Sequence, residues 1–327
     1  MKTVVWIGAG VLAVFGLITA ALMSGPLGVE PRDLTAALFG QGSDAAELAL
    51  ALRAPRLIAA AVTGAALAGA GAGFQILFRN PLVAPDLLGV SSGAGLGAAV
   101  VLLAGGGAMM VHAGAFVGGV ASAGLALTCA ALARTGDARL SLVLCGLVVS
   151  ALASAGLGLV AILAEPYSQL PTLTYWLLGS FSRATLSEAL LALAPTVFGG
   201  GVLLWLGFRL DALSLGDEQA RALGLPAEGL RMIAVAAATL MTSAAVAISG
   251  VVGWIGLLAP HAARRLVGPQ ADRLLPAAMA MGALFGLAID RLSTAFGPAE
   301  LPVGLLAAGV GAPAFLILLV MTARREP

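Results

Sequence analysis

Residues 209–231 read RLDALSLGDEQARALGLPAEGLR and form the longest polar interruption in an otherwise apolar chain. They hold seven of the chain's 33 charged residues (17 basic plus 16 acidic), so the interruption is a genuine departure from the surrounding composition. Asp211 and Asp217 are of a type that caps helices, and Gly216 and Pro226 are of types that end or turn them. We therefore expect ordered short helices here and not a flexible linker.

The segment 217–223 fits one or two turns of helix with Ala220 and Leu223 on the same face. A short amphipathic helix at the membrane surface has nothing of its own against which to bury that face. It is either a docking surface for a partner or an ordinary ordered loop, and residue spacing alone supports both interpretations equally.

The composition on either side of this segment is that of an all-α polytopic membrane protein. The 327 residues are 60% apolar and 10% charged, with a mean hydropathy of +1.03. Soluble domains carry about 25% charged residues, so a water-soluble fold could not hide this much apolar surface. A net charge of +1 provides no basic field for nucleic acid. Cys129 and Cys145 both lie in apolar runs, which favours small core residues over a disulfide or a metal pair.

Apolar runs of membrane-spanning length predict ten transmembrane helices in a single transmembrane domain that covers residues 1–327. The first run follows Lys2 and is longer than the apolar core of a signal peptide, so we interpret it as a retained helix. The predicted spans are residues 4–24, 56–78, 91–107, 111–133, 140–164, 187–208, 230–249, 251–267, 274–293 and 302–322.

The basic residues predict the orientation, because cytoplasmic loops are enriched in Lys and Arg. An N-terminus in the cytoplasm puts twelve of the 17 basic residues inside and five outside. With ten spans the C-terminus is also cytoplasmic, and the 209–231 loop lies on the same side.

Three segments outside the predicted spans also suggest structure. A short surface helix is expected near 31–38, with Asp33 and Glu47 in water. Residues 165–183 are apolar but broken by proline and glycine, which favours a half-helix with Tyr175 and Trp176 at the headgroup level. A second such piece is expected at 297–303.

Several kinds of chemistry are missing from the chain. Lys2 is the only lysine, so the Gly-Lys-Ser/Thr end of a Walker A loop cannot be formed. His112 and His261 have no acid or cysteine at metal-ligand spacing. No ionisable residue is predicted at mid-membrane, where an ion-coupled carrier needs one; Asp290, in the last turn of the ninth helix, comes nearest. The energy for transport is therefore expected from a partner.

Five ordered motifs resemble the permease subunits of bacterial type II ABC importers for iron-siderophores and vitamin B12, the FecCD/BtuC-like family. The longest is RAPRLIAAAVTGAALAGAGAGFQILFRNPLVAPDLLGVSSGAG, at residues 53–95. It is followed by YWLLGS at 175–180, LSLGDEQARALGL at 213–225, GWIGLLAPHAARRLVG at 253–268 and AELPVGLLAAGVGAP at 299–313.

The resemblance implies a BtuC-like fold of ten helices in which two copies enclose a central path across the lipid bilayer of the bacterial inner membrane. Two cytoplasmic ATPase subunits would carry ATP and Mg²⁺, and a periplasmic binding protein would deliver the substrate. The chain itself would bind no cofactor or metal and perform no catalysis. A ferric siderophore is the expected substrate, with haem, cobalamin and molybdate as alternatives within the family. An ion-coupled secondary transporter is the rival from another class.

The motif at 213–225 is similar to the family's coupling helices, which insert into a groove on the ATPase. That similarity assigns the coupling role to the following residues: Leu213, Ser214, Leu215, Gly216, Asp217, Glu218, Ala220, Arg221, Leu223 and Gly224.

Two arginines and one turn carry the other expected roles. Arg53 and Arg56 match the RxPR pair that, in the family, resembles sockets for acidic side chains of the binding protein; interfacial anchoring is the alternative. A third socket is in doubt because Thr294, and not Arg291, stands where the family commonly has arginine. The turn Asn80, Pro81 and Leu82 matches an NPL element near the cytoplasmic gate, and a plain turn between helices is the alternative.

Two more residues fall inside the matching motifs. His261 is expected to make a structural hydrogen bond to a loop carbonyl and not to act as a ligand. Glu300 is expected to cap a helix N-terminus at the outer end, and a substrate contact is the weaker option.

Overall fold

The computed structural model describes residues 2–23, 29–37, 39–133, 138–295 and 300–323. Throughout these ranges the regular structure is helical, and no strand occurs in them. The all-α class predicted from the composition is therefore confirmed. The helices are α1 Lys2–Met23, α2 Pro31–Ala37, α3 Asp44–Phe78, α4 Val90–Leu103, α5 Ala108–Ala133, α6 Ala138–Leu163, α7 Gln169–Leu178, α8 Leu186–Trp205, α9 Gly207–Leu215, α10 Asp217–Ala222, α11 Ala227–Ser249, α12 Ile255–Val267, α13 Ala271–Thr294 and α14 Val303–Ala323, with a 3-10 turn at Pro85–Leu88.

Six of the described helices are long and apolar enough to cross a bilayer: α3, α5, α6, α8, α11 and α13. Two others, at the predicted spans 91–107 and 251–267, are shorter than the sequence suggested. Helix α4 has 14 residues and α12 has 13, whereas a perpendicular span needs about 20. Each predicted span overlaps a helix, and length and composition identify six crossings in the described chain, so the other four crossings stay a prediction.

Helix α3 is the central element of the bundle. It is 35 residues long, and its face is buried almost continuously from Leu57 onward. Ser43 caps its first turn by accepting from the Ala46 amide, and the acidic Asp44 and Glu47 suit the positive end of the helix dipole. At 1.5 Å per residue the helix is about 52 Å long, so it extends beyond a hydrocarbon core of roughly 30 Å.

Small residues let α3 and α13 approach at backbone distance. A methyl group built on Gly64 would clash with the carbonyl oxygen of Gly282, and one built on Gly282 would clash with that of Gly64. The same arrangement joins α4 to α5, where Gly97 faces Gly114. The glycine spacings seen in the sequence therefore do mark close helix crossings.

The segments between the predicted spans are ordered as expected in two cases. Helix α2 forms where a surface helix was predicted, and Asp33 and Glu47 are exposed. Helix α7 occupies the predicted half-helix, with Tyr175 largely exposed and Trp176 half-buried. Of the third predicted piece, residues 296–299 lie outside the described chain, and 300–302 are not helical.

Candidate functional site

The polar segment 209–231 folds into an elbow, which we define as α9, Gly216 and α10. Gly216 joins the two helices with φ 140° and ψ 159°, a conformation that residues with a Cβ rarely adopt. A methyl group there would also meet the side chain of Gln219. The expectation that Gly216 provides a glycine-specific turn is confirmed.

Asp217 anchors the elbow to two long helices. Its carboxylate accepts two hydrogen bonds from Nη2 of Arg231 in α11, at 2.7 and 2.6 Å, and one from Nη2 of Arg139 in α6, at 3.0 Å. Partial burial raises the pKa of Asp217, but the Arg231 hydrogen bonds and the charges of Arg231, Arg139 and Arg221 outweigh burial, so the pKa is lowered overall. The predicted helix cap at Asp217 is wrong, because its carboxylate is committed to these arginines.

Asp211 anchors the elbow to a third helix. Both of its carboxylate oxygens accept from the backbone N–H of Ala271, at 3.0 and 3.2 Å, so Asp211 caps α13 from a distance of 60 residues. Burial raises the pKa of Asp211, although the hydrogen bond from Ala271 opposes that rise. Asp211 does cap a helix as expected, but the helix is a long one elsewhere in the chain.

The carbonyl of Leu213, in the last turn of α9, provides a fourth attachment. It accepts from Nη2 of Arg139 at 3.3 Å and from Nη2 of Arg79, just beyond the end of α3, at 3.4 Å. The ends of α3, α6, α11 and α13 thus converge on the elbow. We call this side of the bundle the elbow end.

The residues assigned to coupling divide into a buried base and an exposed rim. Ala220 is 0% exposed and is part of the chain's own core, so the prediction that it faces a partner is wrong. Leu213 and Gly216 are also buried, and Ser214 and Asp217 are half-buried. Leu215 and Leu223 are 63% and 58% exposed. The exposed members of the assigned set are Leu215, Glu218, Arg221, Leu223 and Gly224.

The opposite end of α3 and α13 holds an ion-pair cluster, which we call the clamp. Nε of Arg56 donates to Asp290 at 2.7 Å, and its Nη1 donates to Glu300 at 2.6 Å. Asp290 is 0% exposed. Because Ala271 and Asp290 lie on one helix, the elbow and the clamp are about 28 Å apart along α13. Glu300 pairs with Arg56 here. The prediction that Glu300 caps a helix N-terminus is therefore wrong.

The other arginines at the clamp end hold α1. Arg53 donates to the carbonyl of Leu22 at 2.7 Å, and Arg291 donates to that of Ala21 at 3.2 Å. Basic side chains suit these carbonyls because they lie at the negative end of the α1 dipole. Both arginines of the predicted docking pair therefore have partners within the chain: Arg53 binds the end of α1, and Arg56 binds the two acids of the clamp. Arg291 also binds the end of α1.

The NPL turn lies at the elbow end, next to the end of α3. Asn80, Pro81 and Leu82 are all exposed, and the side chain of Asn80 accepts from the amide of Leu82 at 2.9 Å. This local hydrogen bond is typical of an Asx turn. The geometry matches a turn between helices, and the gating role assigned to it stays a prediction.

The two histidines have surroundings that the sequence did not reveal. Nδ1 of His112, in α5, lies 3.3 Å from Glu188 of α8, a pairing across 76 residues that spacing could not predict. His261 packs edge-on against Phe315 at 5.9 Å, and neither ring nitrogen has a hydrogen-bond partner among the described residues. The expected carbonyl partner of His261 is therefore not found. In the described chain no cluster of three His, Cys, Asp or Glu side chains could hold a metal ion.

A cavity of about 520 Å³ opens at the clamp end. It lies between the start of α5, helix α7, the start of α8 and the segment 300–302, and Glu300 joins it to the clamp. Its lining combines the aromatic Tyr175 and Trp176 with the ionisable groups His112, Arg183 and Glu188. We call it the clamp cavity.

Comparison with known proteins gives a consistent result over nearly the whole chain. The profile of the FecCD transport family matches residues 12–321. The Fe(3+)-citrate import system permease protein YfmE of Bacillus subtilis is 35% identical over 97% of this chain and 95% of its own length. The hemin transport system permease protein HmuU of Yersinia pestis is 38% identical over 83% and 82%, and the molybdate import system permease protein MolB of Haemophilus influenzae is 34% identical over 82% and 79%.

The fold gives the same result. A solved metal-chelate type ABC transporter in an inward-facing conformation superposes with a TM-score of 0.88 and 29% sequence identity, covering 96% of this chain and 98% of that one.

Proposed function

The chain belongs to the FecCD transport family, the permease subunits of iron-siderophore and vitamin B12 type ABC importers, and from this premise we propose that it carries a metal chelate inward across the bacterial inner membrane. Its relatives are transport permeases. It would work as one half of a homodimer in which each copy crosses the bilayer ten times. Two ATPase subunits would bind the elbow end, and a periplasmic binding protein would bind the clamp end.

The elbow is the observation on which this proposal depends. It offers two exposed leucines, Leu215 and Leu223, and its base is bound to the ends of α3, α6, α11 and α13. An apolar rim on an anchored base is suited to transmit force, because a push on the rim reaches four helices at once. Buried apolar contacts at the centre of an interface supply most of its binding energy.

The basic residues support a cytoplasmic location for the elbow and for both termini. Arg79, Arg139, Arg209, Arg221 and Arg231 all lie at or beside the elbow end, as the enrichment of cytoplasmic loops in basic residues requires. The clamp end would then face the periplasm. In this orientation α14 starts on the periplasmic side, close to the clamp.

The substrate proposal is a ferric chelate, with haem, cobalamin and molybdate as alternatives inside the family. The relatives' names include ferric citrate, hemin and molybdate, so the family alone does not choose among these. An ion-coupled carrier is disfavoured by the position of Asp290. That carboxylate is paired with Arg56 near the end of α13, and among the described residues it is the acid buried most completely.

The decisive experiment changes the rim of the elbow and measures coupling to the ATPase. Leu223→Arg puts a charge where the partner's groove is expected, so the ATPase should no longer co-purify, or should hydrolyse ATP without substrate uptake in proteoliposomes. The matched control is Phe39→Arg, the same change at an exposed apolar residue near α2, which should leave ATPase co-purification intact. Normal uptake at a normal ratio of substrate to ATP in Leu223→Arg would disprove the coupling role.

The variant Ala220→Arg would not serve for this test. Because Ala220 is buried inside the elbow, an arginine there would disrupt the permease itself, and loss of transport would not report on the partner. Leu223→Arg avoids this problem, since its side chain is already largely in solvent.

A further inference from the structure

Besides the phenol of Tyr175, the clamp cavity contains four ionisable side chains, and three of them are already engaged. Glu188 accepts from the amide of Thr185 at 2.9 Å and lies 3.3 Å from His112. Glu300 is bound by Arg56 of the clamp at 2.6 Å. The fourth is Arg183, which is exposed, and no carboxylate of the described chain lies within 4 Å of its guanidinium.

Arg183 is therefore the one charged side chain of the lining for which the described residues supply no ion pair. Glu188 is bonded to a neutral amide and Glu300 shares Arg56 with Asp290, so both carboxylates keep negative charge, and the attraction that Arg183 offers an anion is local to its guanidinium. Arginine has five N–H donors in a rigid fork, and a ligand carboxylate or phenolate can accept two of them at once.

The rest of the lining suits an organic ligand more than a bare ion. Tyr175 is 70% exposed and Trp176 is half-buried, so two aromatic rings border the same space as Arg183. The volume of about 520 Å³ is within the range of small-molecule sites. Serine hydroxyls at Ser180 and Ser182 supply further hydrogen-bonding groups on the wall.

We propose that the clamp cavity is a binding site for an anionic chelate. Arg183 would donate hydrogen bonds to the carboxylate or phenolate oxygens of the chelate, and Tyr175 and Trp176 would pack against its apolar part. This proposal rests on the proposed function in one respect: the clamp end must face the side of the membrane from which the substrate arrives. It narrows the transported class to negatively charged chelates. Arg183 is then a specificity residue of the permease itself, additional to any selection by the binding protein.

The first test measures what Arg183 contributes to the local potential and needs neither substrate nor ATP. Cys129 and Cys145 are replaced by alanine, and Ser182→Cys is introduced next to Arg183 in the intact permease. Rates of labelling by an anionic and by a cationic methanethiosulfonate reagent are then compared. Arg183→Gln should lower the anion-to-cation rate ratio by about tenfold, because it removes the positive charge beside the labelled thiol. Arg183→Lys keeps that charge and should leave the ratio nearly unchanged.

A half-buried arginine at the other end serves as the control. Arg209 stacks over Trp205 at 4.5 Å at the elbow end, and Arg209→Gln removes the same charge from the molecule without touching the cavity. It should leave the labelling ratio at Ser182→Cys unchanged. A ratio that does not respond to Arg183→Gln, or responds equally to Arg209→Gln, would overturn the proposal.

The second test measures uptake by the complete transporter with its ATPase and binding protein. Ferric citrate is the anionic probe, and a cationic ferric hydroxamate chelate is the comparison. Arg183→Gln should reduce uptake of ferric citrate at least fivefold while ATPase co-purification is retained. An Arg183→Gln variant that takes up ferric citrate normally, or that loses uptake of both chelates equally, would overturn the proposal. Absence of ATP-driven uptake of any metal chelate would refute the proposed function instead.

Discussion

At the scale of single residues, the arginines are the most informative group because most of them are committed inside the chain. Arg56 bridges Asp290 and Glu300, Arg231 holds Asp217, and Arg53 holds the end of α1. Each one joins elements that are distant in sequence. The residue-level role of these side chains is to fix helix ends relative to one another, and Arg183 differs in having no such acidic partner within the described chain.

Removing the arginine of the clamp should destabilise the permease. Arg56→Ala leaves Asp290 fully buried without its cation, and breaking a buried pair in this way typically costs about 3 kcal/mol or more. We expect a clearly lower thermal midpoint for the detergent-purified protein. Arg183→Ala is the control and should leave the midpoint unchanged. If both variants melt alike, the clamp contributes nothing to stability.

Removing the carboxylate of Asp217 should loosen the elbow. Arg231 is almost fully buried, and Asp217→Ala removes the carboxylate that accepts its hydrogen bonds. Losing hydrogen bonds between charged groups costs about 2 kcal/mol of folding free energy. Trypsin should then cleave after the exposed Arg221 at least tenfold faster, since about 1.4 kcal/mol corresponds to a factor of ten. Glu218→Ala, the same change at an exposed neighbour, should not alter the cleavage rate. Equal rates in the two variants would contradict the anchoring role.

The same pair also predicts a pH dependence with a definite sign. The pKa of Asp217 is lowered from an ordinary value of 3.8 in the folded protein. Its contribution is therefore complete above pH 3.8 and is lost as the pH falls through the lower, folded pKa. In the unchanged protein, faster hydrogen–deuterium exchange of the α10 amides, corrected for the intrinsic pH dependence of exchange, should appear only below pH 3.8. Exchange that accelerates beyond the intrinsic rate between pH 7 and pH 5 would have another cause.

At the scale of elements, α13 is the helix that connects the two ends. Its first residue is capped by Asp211 of the elbow, and its last turns contain Asp290 of the clamp. A helix resists compression along its axis better than a loop does, so a displacement of the elbow can be passed directly to the clamp end. The close crossing with α3 at Gly64 and Gly282 keeps α13 next to the central helix along its length.

The link between the elbow and α13 can be tested at Asp211. Asp211→Ala removes the cap, worth about 1 kcal/mol, and should lower substrate uptake per ATP hydrolysed by about fivefold with the complex still assembled. Asp211→Asn keeps an oxygen acceptor and should lose much less. Asp272→Ala, at the exposed neighbour of Ala271, is the control. An unchanged uptake-to-ATP ratio in Asp211→Ala would show that the cap carries no coupling.

At the scale of the whole molecule, the elbow and the clamp should lie on opposite sides of the membrane. In a background without Cys129 and Cys145, Ala222→Cys at the elbow should resist an impermeant maleimide in intact cells, and Ala45→Cys at the start of α3 should be labelled. Both positions are exposed, so a difference in labelling reports the side and not burial. The reverse pattern would invert the proposed orientation.

The sequence alone determined the helical membrane class, because 60% apolar residues in long uninterrupted runs allow no water-soluble alternative. It also located the elbow, since seven charges in 23 residues cannot stay in hydrocarbon, and it identified Gly216 as the turn. These are local properties, set by the residues within one segment. The ordered motifs identified the family for the same reason, because each is a continuous run of sequence.

Only the tertiary structure decided which side chains meet. It showed that Ala220 faces the core, that Asp211 caps a helix 60 residues away, and that Arg56 is bound by Asp290 and Glu300. It also left Arg183 of the clamp cavity without a carboxylate partner among the described residues. The physical reason is that helix periodicity specifies a face but not the neighbour that covers it. Pairings between helices depend on how the whole bundle packs, and no single segment encodes that arrangement.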